Sequence, residues 1–256
     1  MRNRQSNKKE TKNIIIALPT AMTILNLSLG FLSLQASIHG NFLWAGWLIV
    51  LAAVIDGLDG VVARLTQSNS LFGVELDSLA DAISFATATS LLFALWSTEE
   101  LGQAGVFLAF IFLTAGILRL ARYNVIQAKQ KNRSFYLGLT VPSASVFIVA
   151  LIMALSRPPA HPVPKFFLFL VMPLISLLMV SRIHYPNFIQ IIYRHRLNLS
   201  RLLFTIALLT SFYLNPPLTL LIVTSINVSS GPMREAWRLT QKFILARSKG
   251  NEFPWR

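Results

Sequence analysis

Four aspartates, Asp56, Asp59, Asp77 and Asp81, sit in sequence otherwise apolar enough for a lipid bilayer. The stretch reads Asp56-Gly-Leu-Asp59-Gly60-Val-Val-Ala63-Arg64, then eight residues, then Gly73-Val-Glu-Leu-Asp77-Ser-Leu-Ala-Asp81. Spacings of three and four residues place each pair on one side of a helix. The polar run from Thr66 to Ser70 predicts a tight turn that makes the two helices antiparallel neighbours, so that all four carboxylates face one another. Anions gathered at membrane depth cost roughly several kcal/mol each unless cations neutralise them. The constellation therefore points to bound metal. With no cysteine in the chain, oxygen donors favour Mg2+, Mn2+ or Ca2+ over zinc. A two-metal site of that kind suits phosphoryl chemistry.

The residues between the aspartates fit a nucleotide diphosphate. Gly57, Gly60, Ala63 and Gly73 remove side-chain bulk from faces where the helices meet, leaving room for a base and ribose to approach the backbone. Arg64 offers a planar cation, suited to a phosphate or to pairing with a carboxylate. A proton relay or a divalent-cation transporter is the competing reading of intramembrane aspartates. The glycines argue against it, because a cation path needs ligands and water but no slot for a large substrate.

The elements that must carry these residues are membrane helices. Of the 256 residues, 54% are hydrophobic and only 13% charged, with a mean hydropathy of +0.58, against about 25% charged in soluble domains. The net charge of +13 does not signal nucleic acid, since the basic residues fall between apolar segments rather than along a stripe. Spans are predicted at roughly 14–37, 42–65, 73–97, 103–124, 139–156, 165–182, 200–214 and 217–230. The last two, divided by Asn215-Pro216-Pro217, form either two spans or one re-entrant hairpin. The fold class is thus all-α, a polytopic bundle of about eight transmembrane helices. The first apolar run is too long for a cleaved signal peptide and reads as a retained helix.

With the N-terminus cytoplasmic, all of the 23 Lys and Arg residues except Arg157 and Lys165 fall on the cytoplasmic face. This positive-inside bias places both termini and the acidic turn on the cytoplasmic side of the inner membrane. The chain divides into a basic N-terminus (1–13), a catalytic membrane core (14–199), a C-terminal hairpin (200–230) and a basic tail (231–256). In the first span Thr23, Asn26 and Gly30 form a stripe suited to packing against the acidic helices, Asn26 serving either as interhelical glue or as a ligand contact. Arg119 and Arg122 end the fourth span and are either interface anchors or functional groups.

The spacing D-x2-D-G-x2-A-R-x8-G-x3-D-x3-D resembles the signature of the CDP-alcohol phosphotransferase family, and every fixed position matches. The chain is most similar to that family's membrane-embedded phosphatidylserine synthase branch. Pro19-Thr20 through Gly30, Glu75 to Phe85, Arg119-Leu-Ala-Arg122-Tyr-Asn124, Phe135 to Pro142 and Ser181 to Pro186 carry the likeness, which spans residues 14 to about 190. It departs at Thr140 and His184, where the family more often has Pro and Arg. The resemblance implies a six-helix core plus two C-terminal helices, a homodimer, and transfer of the phosphatidyl group of CDP-diacylglycerol to L-serine with release of CMP. It implies metal ligation by Asp56, Asp59 and Asp77, with Asp81 as general base that also touches the second metal. Gly60, Ala63 and Gly73 would line the nucleotide pocket, with Asn26, Asp56 and Arg64 beside them. Arg119 or Arg122, with Asn124, would receive the serine carboxylate, since a guanidinium fork matches that group. Glycerol 3-phosphate and inositol phosphate remain as alternative acceptors.

Overall fold

The computed structural model describes residues 2–66, 71–129, 136–156, 165–185 and 209–248. Helices dominate: α1 (Arg2–Ile38), α2 (Phe42–Thr66), α3 (Leu71–Asp81), a π-helical turn (Ala82–Thr87), α4 (Ala88–Trp96), the short α5 (Thr98–Leu101), α6 (Gln103–Lys129), α7 (Val141–Leu155), α8 (Lys165–Val180) and α9 (Pro216–Ser248). In hydrocarbon every backbone N–H and C=O must be paired within its own segment, which apolar helices achieve unaided. The exception is a two-residue antiparallel ladder, β1 (Tyr136–Leu137) with β2 (His184–Tyr185). Gly138, at φ 75°, turns the chain there and gives its N–H to the Ile183 carbonyl at 2.8 Å.

Among the described residues four helices are long and apolar enough to cross a membrane: Pro19–Ile38, Phe42–Val62, Phe72–Trp96 and Gln103–Ile126. Val141–Leu155 and Phe166–Val180 are shorter. Six of the eight expected spans are therefore apolar helices. The seventh lies mostly outside the described residues, and only 209–214 of it is seen, as helix. The short α7 tolerates its length because Ala144, Ile148, Val149, Ile152 and Met153 are all buried against other helices rather than lipid. Phe107, Phe110, Phe166 and Leu177 point outward, as a protein surface solvated by acyl chains requires.

Packing departs from the expected antiparallel pair. α1 lies against both α2 and α3, while α2 meets the third span only deeper, at the π turn and α4. α1 is thus the neighbour that the two acidic helices share. Close approach is set by small residues. A Cβ on Gly30 would collide with Ser84, one on Gly46 with Met153, and one on Gly116 with Ala86. The π turn is tied down by neighbours: Ser84 Oγ donates to the Asn26 carbonyl at 2.9 Å, and Ser145 Oγ to the Phe85 carbonyl at 3.0 Å.

The sequence places the end of the last span at residue 230, before Gly231-Pro232, yet α9 continues unbroken through Pro232 to Ser248. Pro232 has no N–H, so the Val228 carbonyl four residues earlier lacks its helical donor. Tyr185 supplies one, its hydroxyl donating to that carbonyl at 3.1 Å. Gly231 leaves the space that the tyrosine ring fills, for any Cβ there would overlap it. Burial pushes the Tyr185 hydroxyl up to about 12, so it stays protonated. Because the folded value is raised, this contribution is complete below the ordinary value of 10.0 and fades only as pH rises toward 12. Tyr185→Phe should destabilise the protein by about 1–3 kcal/mol, read as a lower melting temperature in detergent. Tyr213→Phe, at an exposed site, should leave it unchanged.

Candidate active site

α2 carries Asp56 and Asp59, and α3 carries Asp77 and Asp81 one helical turn apart. Asp56, Asp77 and Asp81 converge, each offering a carboxylate oxygen within 4.8 Å of the others. Asp59 does not join this close group. It is buried and turned toward α1, where Thr23 Oγ1 lies 2.8 Å from its Oδ2. The same hydroxyl lies 3.0 Å from the Pro19 carbonyl. Asp59 remains near enough for its charge to act on Asp56 and Asp77. The expected quartet is thus a triad with a flanking fourth. The reason is α1, which interposes a hydroxyl donor where direct α2–α3 packing was predicted.

Asn26 stands beside the triad. Its amide nitrogen is 3.4 Å from Asp81 Oδ1, and its side-chain oxygen is buried without a hydrogen-bond partner. Its backbone carbonyl is the one that Ser84 holds. Arg119 reaches the same region from α6. It is only 7% exposed, its charge attracts Asp56 and Asp81, and its guanidinium lies 5.3 Å from the centre of the Tyr123 ring. A buried cation between anions offsets part of their mutual repulsion.

The remaining predicted residues separate. Arg122 Nη1 and Nη2 donate to the carbonyls of Val180 and Ser181 at 2.6 and 3.0 Å. It caps the C-terminal end of α8, where helix carbonyls lack intrahelical partners. Asn124 faces α3, accepting from Ser78 Oγ at 3.0 Å and giving its amide to Glu75 at 3.4 Å. Gly57 and Gly60 are exposed on α2, and nothing lies within 4 Å of where a Cβ would stand. They therefore leave open space beside the carboxylates, the room that the sequence reading asked of them, although no other helix lies against that face. Gly73 is half-buried on α3, and Ala63 and Arg64 continue α2, their side chains lying outside the described residues.

The donor set fits a divalent cation. Three carboxylates in mutual reach supply hard oxygen ligands, with no thiol in the chain. The orphaned Asn26 Oδ1 adds a neutral oxygen at the same place. Asp56, Asp77 and Asp81 are the residues that would hold a cation, with Asp59 adjacent.

Residues 16–213 match the family model for CDP-alcohol phosphatidyltransferase. The chain belongs to that family. A CDP-diacylglycerol–serine O-phosphatidyltransferase of Helicobacter pylori (strain ATCC 700392 / 26695) is 35% identical over 196 residues, covering 75% of this chain and 81% of the relative. An archaetidylserine synthase of Methanothermobacter thermautotrophicus is 35% identical over 187 residues, covering 71% and 74%. A CDP-diacylglycerol–serine O-phosphatidyltransferase of Methanocaldococcus jannaschii is 32% identical over 174 residues, covering 68% and 76%. The chain is a membrane transferase of phospholipid synthesis, moving a phosphatidyl group from CDP-diacylglycerol to an alcohol.

Glu75, Ser78 and Ser84 were not anticipated as site neighbours, whereas Thr23 was expected to pack against the acidic helices and meets Asp59 there. Glu75 and Ser78, three residues apart, share a helix face by spacing alone, but only α6 reveals what that face meets. The two kinds of glycine should separate under substitution. Gly60→Val, filling open space, should leave the melting temperature unchanged and abolish CMP release. Gly30→Val, driven into Ser84, should lower the melting temperature by several degrees.

Proposed function

We propose that the protein transfers the phosphatidyl group of CDP-diacylglycerol to L-serine, giving phosphatidylserine and CMP. The observation that carries this reading is the convergence of three carboxylates and one buried arginine beside a glycine face open to a large substrate. The relatives named for serine or archaetidylserine synthesis support the acceptor.

In this reading Asp56, Asp77 and Asp81 would hold Mg2+ or Mn2+, with Asp59, turned toward Thr23, beside them. Such ions, when bound, polarise the phosphoryl oxygens and neutralise charge on the leaving nucleotide. The nucleotide lies along Gly60, Ala63 and Gly73, with Asn26 and Arg64 in reach and the acyl chains in lipid. The serine hydroxyl attacks the phosphorus that bears diacylglycerol. A P–O bond to serine forms, the P–O bond to CMP breaks, and the hydroxyl proton passes to Asp81.

Arg119 receives the serine carboxylate. Its charge already acts at Asp81, so an acceptor held there brings its hydroxyl to the base. Arg122, engaged with the end of α8, supports Arg119 from the next turn of α6. The site and both termini face the cytoplasm, following the basic residues, and the enzyme acts as a homodimer, as its family resemblance implies.

Purified protein supplied with CDP-diacylglycerol and Mn2+ should release CMP when L-serine is added, and not with glycerol 3-phosphate or inositol phosphate. The opposite acceptor pattern would reject the assignment. A chelator should stop turnover, and excess Mg2+ or Mn2+ should restore it. Asp81→Asn should lower kcat by a factor of about 100 or more while CDP-diacylglycerol still binds. Normal turnover in that variant would remove Asp81 from the base role.

A further inference from the structure

The facing sides of α3 and α6 carry charge of both signs. α6 packs on the π turn and α4 rather than on α3, so beyond Asp81 the two helices are joined through polar side chains. Ser78 Oγ donates to Asn124 Oδ1 at 3.0 Å, and Asn124 Nδ2 reaches Glu75 Oε2 at 3.4 Å. Arg119 lies deeper, five residues and about 7.5 Å of helix rise before Asn124, and is buried where its charge acts on Asp81.

Glu75 differs from the other described acidic side chains. Asp56, Asp59, Asp77 and Asp81 belong to the carboxylate site, Glu99 and Glu100 lie in α5 beyond the far end of α4, and Glu235 is 3.8 Å from Arg238. Glu75 is two residues from Asp77, about 200° around the helix, so it projects away from the triad toward α6. It is exposed, with Asn124 as its bridge to that helix. It is thus not one of the three carboxylates that converge.

We propose that Glu75, oriented by Asn124, receives the ammonium group of the acceptor and so selects an amino alcohol over a phosphate-bearing one. The assignment rests on the serine reading above and extends it. Serine is a zwitterion, and in this proposal α6 offers Arg119 to its carboxylate while α3 offers Glu75 to its ammonium and Asp81 to its hydroxyl. Glycerol 3-phosphate would instead bring two negative charges against Glu75. Specificity then comes from a repulsive element as well as an attractive one.

The test compares wild-type protein, Glu75→Gln and Glu75→Asp in CMP release, with L-serine and with 3-hydroxypropanoate, which keeps the hydroxyl and carboxylate but lacks the ammonium. Glu75→Gln should raise KM for serine by about tenfold or more, with the loss falling on KM rather than kcat and with KM for CDP-diacylglycerol unmoved. Glu75→Asp should recover most of the affinity. Turnover of 3-hydroxypropanoate, weak in wild type, should not fall in Glu75→Gln. A serine KM within twofold of wild type, or parallel losses with both acceptors, would overturn the assignment. Failure of wild-type protein to use serine at all would be a distinct result, sinking the serine reading and this one with it.

Discussion

Repulsion among buried carboxylates is the constraint around which the bundle is arranged. Asp56, Asp77 and Asp81 bring oxygens within 4.8 Å of one another, Asp81 buried and the other two half-buried, where like charges are more costly than on a fully solvated surface. The protein meets this in three ways. α1 is placed against both acidic helices, so that Thr23 serves Asp59 and Asn26 serves Asp81. α6 contributes Arg119 as a buried counter-charge. What remains uncompensated favours a divalent cation among the three carboxylates.

The supporting structure is correspondingly specific. Helices can approach closely around the site only where side chains are small, at Gly30, Gly46 and Gly116, and each of these glycines meets a named partner. Gly57 and Gly60 meet none. One residue type therefore has two opposite uses, closing the bundle at depth and leaving it open at the mouth. The Arg122 clamp onto Val180 and Ser181 and the Tyr185 contact with Val228 fasten α8 and α9 to the frame without entering the carboxylate cluster.

Much of this was legible in the residues. The spacing of the four aspartates identified the two helices and their acidic faces, because helical periodicity and the cost of buried charge act locally, and its resemblance to a family signature supplied the reaction class. The positions of six apolar spans followed from hydropathy. What sequence could not show depended on a third element. Asp59 leaves the close triad because Thr23 arrives from another helix, Arg119 and Arg122 part company because only one of them meets the end of α8, and α9 runs through Pro232 because Tyr185 supplies the missing donor. A proline after a glycine reads as a stop wherever the compensating hydroxyl is 43 residues away in the chain.

The π turn at Ala82–Thr87 has a consequence for how one membrane element can serve two purposes. A ring closed five residues back holds one residue more than an ordinary helical ring, a phase shift of about 100° in side-chain direction. Above it, Asp77 and Asp81 address the polar mouth; below it, Leu92 and Phe93 address the greasy seam between α1, α6 and α7. A strictly regular helix would need a single sequence period to satisfy both. The slip decouples them, so the interior can drift in composition while the aim of the carboxylates is kept.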